Sequence, residues 1–149
     1  MKTKLFFLFL FVGIFTFSQQ QLSPPERFYS DVLDFVVKQR NLNSVGTGLE
    51  KVGFEKKSTS ISDDGEYMTS EYGLPEDGKL LIIRSMSDGF VNKIYLIHKL
   101  SLSYFIMDYL TDIASTYKPN QIWYNRSKTM IFTYEMKENT VGIVQILDI

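Results

Sequence analysis

The chain of 149 residues sets 16 Lys+Arg against 17 Asp+Glu, with one His, no Cys and 44% apolar residues. That length fits one domain, and a formal charge of -1 lacks the basic field that a phosphate backbone requires, so we expect no nucleic-acid partner. Without cysteine there is no disulfide framework, thiolate zinc site, iron–sulfur cluster or cysteine nucleophile; a single imidazole excludes a multi-histidine metal site, and we expect no metal and no cofactor.

Residues 1–18 read as a cleavable export signal. Lys2 and Lys4 form a positive start, and Leu5 to Phe17 is an apolar run of 13 residues, too short for the roughly 20 that span a bilayer as a helix. Thr16 and Ser18 stand at the small-residue positions of a cleavage site, so we expect a cut after Ser18. No membrane span then remains. The residue left, 19–149, is predicted to be a single α+β domain in the periplasm or outside the cell, with 19–23 flexible.

Ser23, Pro24, Pro25 and Glu26 spell a capped helix start, and Phe28, Val32, Phe35 and Val36 repeat at helical spacing, predicting a helix from Pro24 to about Arg40. Asn41 to Gly48 reads as turn. From Val52 the period becomes that of strands. Asp64-Gly65, Asp77-Gly78 and Asp88-Gly89 punctuate a meander of four strands near Gly53–Ile61, Glu66–Tyr72, Lys79–Met86 and Val91–Leu100, because glycine accepts the positive φ of a tight hairpin. Leu80 to Ile83 is apolar on both faces, which suggests an interior strand. Ser101 or Ser103 can cap a second helix running to Tyr117, stopped by Pro119. Strands near Gln121–Asn125, Thr129–Met136 and Thr140–Leu147 close the chain, the last two joined by the turn at Lys137-Glu138-Asn139. The predicted fold is a single mainly antiparallel sheet in the order α-β-β-β-β-α-β-β-β, with two helices packed on one face.

Candidate chemistry is sparse. His98 shares a strand face with Ile94 and Leu96, which favours a core histidine bonded to a carbonyl or a tyrosine over a catalytic base. There is no Gly-x-Ser-x-Gly and no Ser-x-x-Lys. The carboxylates around the turns, Asp63, Asp64, Glu66, Glu71, Glu76, Asp77 and Asp88, lack the spacing of a calcium loop, and turn geometry explains them. Gly46-Thr47-Gly48 follows a helix and has no Gly-Lys-Ser/Thr after it, so it is not a phosphate loop. We identify no catalytic residue.

The most ligand-like stretch is Trp123, Tyr124, Asn125 and Arg126, an aromatic plane beside amide and guanidinium donors that suits a sugar, a peptide or a partner surface. The plainer alternative, which we prefer, makes Trp123 a core anchor and Asn125 to Lys128 a turn. Asn125-Arg126-Ser127 also matches a glycosylation acceptor. Tyr95 shares a strand face with Val91 and Ile97, opposite His98. If the helices cover one face only, this Tyr and Ile stripe is a partner surface, unless Lys93, Lys99 and neighbouring strands cover it.

The run "LEKVGFEKK" before a hairpin series, then "DGFVNKIYLIHKLSLSYFIMDYLTDIASTYK" and closing strands, resembles small exported α+β proteins of unknown function from Gram-negative bacteria. The element order is similar, more distantly, to secretion-chaperone-like folds and β-lactamase-inhibitor-like modules. None of these likenesses carries an activity or a site residue to this chain. The expected function is a non-catalytic binding module, exported to the envelope or beyond, whose partner is a protein or another envelope component. The alternative is a hydrolase of cell-wall or sugar substrates using carboxylates such as Glu66 or Glu71.

Overall fold

A computed structural model describes residues 21–51, 54–117, 122–138 and 140–149. The expected signal, residues 1–18, and Asn139 of the last turn lie outside the described residues. Two helices come first, α1 (Pro24–Val37) and α2 (Leu42–Lys51). Four strands follow: β1 (Lys56–Ile61), β2 (Tyr67–Leu74), β3 (Gly78–Ser85) and β4 (Val91–Lys99). A short 3-10 turn at Leu100–Leu102 leads into α3 (Ser103–Ile113), and four more strands complete the chain: β5 (Ser115–Tyr117), β6 (Ile122–Tyr124), β7 (Met130–Lys137) and β8 (Val141–Asp148). All strands join one antiparallel sheet in the order β1-β2-β3-β4-β8-β7-β6-β5. The α+β class and the single antiparallel sheet agree with the sequence reading, whereas the order gains one helix and one strand.

The topology has two halves. Each is a helical segment followed by a four-strand meander, and the halves meet where their last strands, β4 and β8, pair.

The extra helix is α2, where a turn was expected. Leu42, Val45 and Leu49 recur at helical spacing and are buried, and Asn41 starts the helix by accepting from the Ser44 N–H at 2.8 Å, while the Asp148 carboxylate accepts from Leu42 N–H at 2.9 Å. Gly46 is a packing residue: a Cβ there would lie 2.6 Å from Val91 Cγ2. The extra strand is β5, expected as the last turn of the second helix. Ala114 is already extended, with φ -110 and ψ 161, and Ser115 to Tyr117 pair with Tyr124 to Ile122, so strand hydrogen bonds replace helical ones. Neither Ser101 nor Ser103 caps α3; Leu102 occupies that position and Ser103 is buried.

The first helix starts as expected, with Ser23 and Glu26 exchanging the two bonds of a capping box. It ends near Val37, earlier than Arg40. Its last carbonyl and those of the residues just after it bond to a distant turn instead: Arg126 N–H donates to Val37 O at 3.3 Å, Asn125 Nδ2 to Gln39 O at 2.7 Å, and the Thr129 hydroxyl to Arg40 O.

All three helices lie on one face of the sheet, where two were expected. Tyr29 of α1 packs edge-on against His98, Gly46 of α2 touches Ile82 and Val91, and Thr111 of α3 accepts from Trp123 Nε1 at 3.1 Å. That face carries the core: Leu80, Ile82, Ile94, Leu96, Phe132, Val144 and Ile146 are buried. Among the described residues no helix is long and apolar enough to cross a membrane.

Candidate functional site

The Trp123 segment divides between core and surface. Trp123 is 3% exposed and packs with the core, and Asn125 is 0% exposed. The Asn125 amide donates to Gln39 O, Ser127 Oγ at 2.9 Å and Thr129 Oγ1 at 3.1 Å, while its oxygen accepts from the N–H groups of Thr129 and Met130 at 2.8 and 2.9 Å. These five bonds make it the organiser of the turn that closes α1, and its burial keeps the acceptor pattern from receiving a glycan in the folded chain. Arg126 is exposed on the turn. Tyr124 alternates away from Trp123 and lies half-buried on the opposite face of the sheet.

His98 is 1% exposed and sits inside the core as a structural residue would. Its Nδ1 lies 2.8 Å from Lys99 O, which can only accept, so the neutral ring carries its proton on Nδ1 and leaves Nε2 bare. Burial pulls its pKa below the usual imidazole value, and the carbonyl contact opposes this. Tyr134 packs on the ring, and a Cβ on Gly142 would fall within 2.5 Å of both His98 Nε2 and the Tyr134 hydroxyl, so only glycine fits between them. Nearby, Tyr29 donates to Pro75 O at 3.2 Å, and burial with the Glu76 charge pushes its pKa up to about 12. Among the described residues no three His, Asp or Glu side chains are grouped to hold a metal ion.

The carboxylates named for hydrolysis do not converge. Glu71 pairs with Lys79 at 3.0 Å, and Glu66 precedes the same strand five residues earlier, about 16 Å away along extended chain; paired glycosidase carboxylates stand roughly 5–9.5 Å apart.

The face of the sheet turned away from the helices is uncovered among the described residues. Register aligns Lys79, Ile97, Ile143 and Glu135 as one row across β3, β4, β8 and β7. The next row runs Leu81, Tyr95, Gln145 and Thr133. Ile83 beside Lys93, and Leu147 beside Ile131 and Tyr124, flank it on the other side. The apolar members are half-buried by their strand neighbours, and the Lys79 and Glu135 ends are exposed. Lys93 Nζ stands 5.7 Å from the Tyr95 ring centroid. Tyr95 and Tyr124 therefore share this face, while Trp123 and Asn125 do not reach it. Val91, expected beside Tyr95, is buried on the helix side, because the register shift between Ile83 and Arg84 reverses its direction.

The sequence reading found Tyr95 and Ile97 but not Ile143, Lys79 or Glu135. A signal was present in β8, where Val141, Ile143 and Leu147 alternate with Gly142, Val144 and Ile146, leaving the strand apolar on both faces. The chain matches no protein-family model, no curated protein and no solved structure.

Proposed function

We propose that this protein is a non-catalytic interaction module, exported to the envelope or beyond, that engages its partner through the open face of its sheet. The observation that carries the reading is the contiguous apolar row at Ile97 and Ile143, with Leu81 and Tyr95 beside it, on a face that no described helix covers. A monomer gains by hiding such a patch, and patches of this kind mark interaction sites. The reading of export is supported by Lys2, Lys4 and the apolar run from Leu5 to Phe17. Tyr95 and Tyr124 are the binding residues of this reading; Arg126 lies at the neighbouring turn.

A photo-crosslinking residue at position 95, compared with one at Arg126, tests the surface in the producing cell. Adducts from position 95 and none from 126 are expected; adducts from 126 alone would move the interaction to the turn. N-terminal sequencing tests export, with Gln19 as the expected first residue and a chain beginning at Met1 as the contrary result.

A further inference from the structure

We infer that the occupant of the open face is a second copy of this chain, stacked sheet to sheet about a two-fold axis that lies along the strands between β4 and β8. The inference rests on the reading of that face as the interaction surface and adds its partner. Three observations carry it.

The first is charge placement. One row holds Lys79 at one end and Glu135 at the other, with Ile97 and Ile143 between them. A two-fold axis through the middle of this row lays each end over its opposite: Lys79 meets Glu135 of the other copy twice, and Ile97 meets Ile143 twice. An isologous interface must be complementary to itself, and this row satisfies that condition in both charge and apolar contact. In the adjacent row the same operation sets Tyr95 over Gln145, an aromatic hydroxyl over an amide.

The second is partial charge balance. Lys79 already meets Glu71 at 3.0 Å and Lys99 meets Glu76 at 3.1 Å, while Lys93 lies over the Tyr95 ring, so two of the lysines of this face are balanced by carboxylates of their own chain. An acidic partner or an anionic lipid surface would find only part of the lysine charge of this face uncompensated, whereas an identical copy also brings Glu135 as a matching carboxylate.

The third is area. The four long strands β3, β4, β8 and β7, at about 4.8 Å spacing and roughly 26 Å in length, with the short stretch where β2 would lie over β6 of the other copy, present roughly 600 Å² per copy, so the pair buries roughly 1,200 Å², the lower bound of a stable, specific interface. Sheets stacked this way pack about 10 Å apart with their strands within about 30° of each other, giving a helix–sheet–sheet–helix sandwich.

Sedimentation velocity of the purified protein over a concentration series tests the pairing, with the wild type beside Lys79→Glu, Glu135→Lys and the double variant. Wild type is expected as a dimer. Because symmetry repeats the pair, either single reversal raises the dissociation constant roughly tenfold, and the double variant recovers most of that loss. Both positions are exposed, and an unchanged far-ultraviolet circular dichroism spectrum verifies the fold. A wild type that stays monomeric at every concentration, a dimer indifferent to both reversals, or single losses that the double fails to repair would each overturn the inference. A monomer that still crosslinks from position 95 to another protein excludes the second copy and leaves the surface standing. Absence of any adduct from position 95 removes both.

Discussion

Asn125 ties together two segments far apart in sequence, which makes it more consequential than its place in a surface turn suggests. Its amide reaches Gln39 O across 86 positions, and its oxygen takes two backbone N–H groups. Asn125→Ala removes these bonds and leaves buried donors and acceptors without partners, at about 1–3 kcal/mol for each group so stranded. We expect a loss of about 3 kcal/mol in urea unfolding, against a change within about 0.5 kcal/mol for the exposed Arg126→Ala. The sequence showed a turn at Asn125 to Lys128 but not the burial, because one acceptor that holds the amide, Gln39 O, lies just past the end of α1, far away in the sequence. His98 gives a second expectation at this scale. Its folded pKa lies below the unfolded value of about 6.5, so the unfolded chain binds the proton first as the pH falls. Its contribution is complete above about pH 6.5 and is lost as pH drops from there toward the folded pKa, with a slope of at most about 1.4 kcal/mol per pH unit. The aromatic neighbours Tyr29 and Tyr134 offer no carboxylate to stabilise the cation. Urea midpoints at pH 7.5 and 5.5 should separate more for wild type than for His98→Phe; equal separations would remove the buried imidazole from the account.

At the scale of elements, the pattern of strands was readable and the helical layer was not. The apolar runs and Asp-Gly steps located the four strands of the first meander, and positive φ falls on Gly65 and Gly89 as that turn chemistry requires. At the middle step, Asp77-Gly78, it falls on Glu76 and Asp77 instead, both paired with the Lys99 ammonium, while Gly78 joins β3. The helix α2 was hidden by its own packing: Gly46 and Gly48 look like turn residues, but both are glycine because neighbouring side chains take the room of a Cβ. Propensity alone says that Gly46→Ala should stabilise a helix by up to about 1 kcal/mol. Contact with Val91 reverses the sign, and we expect destabilisation of about 1–3 kcal/mol as the sheet and helix are pushed apart. A higher melting temperature for Gly46→Ala would show that α2 does not rest on β4. The strand β5 escaped because its three residues continue a helical apolar pattern, and only pairing with β6, a tertiary fact, separates them from α3.

At the scale of the whole molecule, two meanders share one sheet, all helices protect one side of it, and the other side remains apolar without a cover among the described residues. Half of this surface was legible: Tyr95 and Ile97 alternate visibly along one strand. The other half required the β4–β8 pairing, which joins residues about fifty positions apart and brings Ile143 beside Ile97. In the proposed pairing, association happens on this face and places Ile97 over Ile143 of a second copy. Isoleucine methyl spectra recorded over a concentration series test it most directly, since reporters stand on every side of the molecule. The Ile97 and Ile143 signals are predicted to move together as concentration rises, while Ile106, buried on the inner side of α3, Ile113 at its end and Ile61 on the edge strand hold still. Stationary Ile97 and Ile143 signals, or movement confined to Ile113 or Ile61, would contradict it.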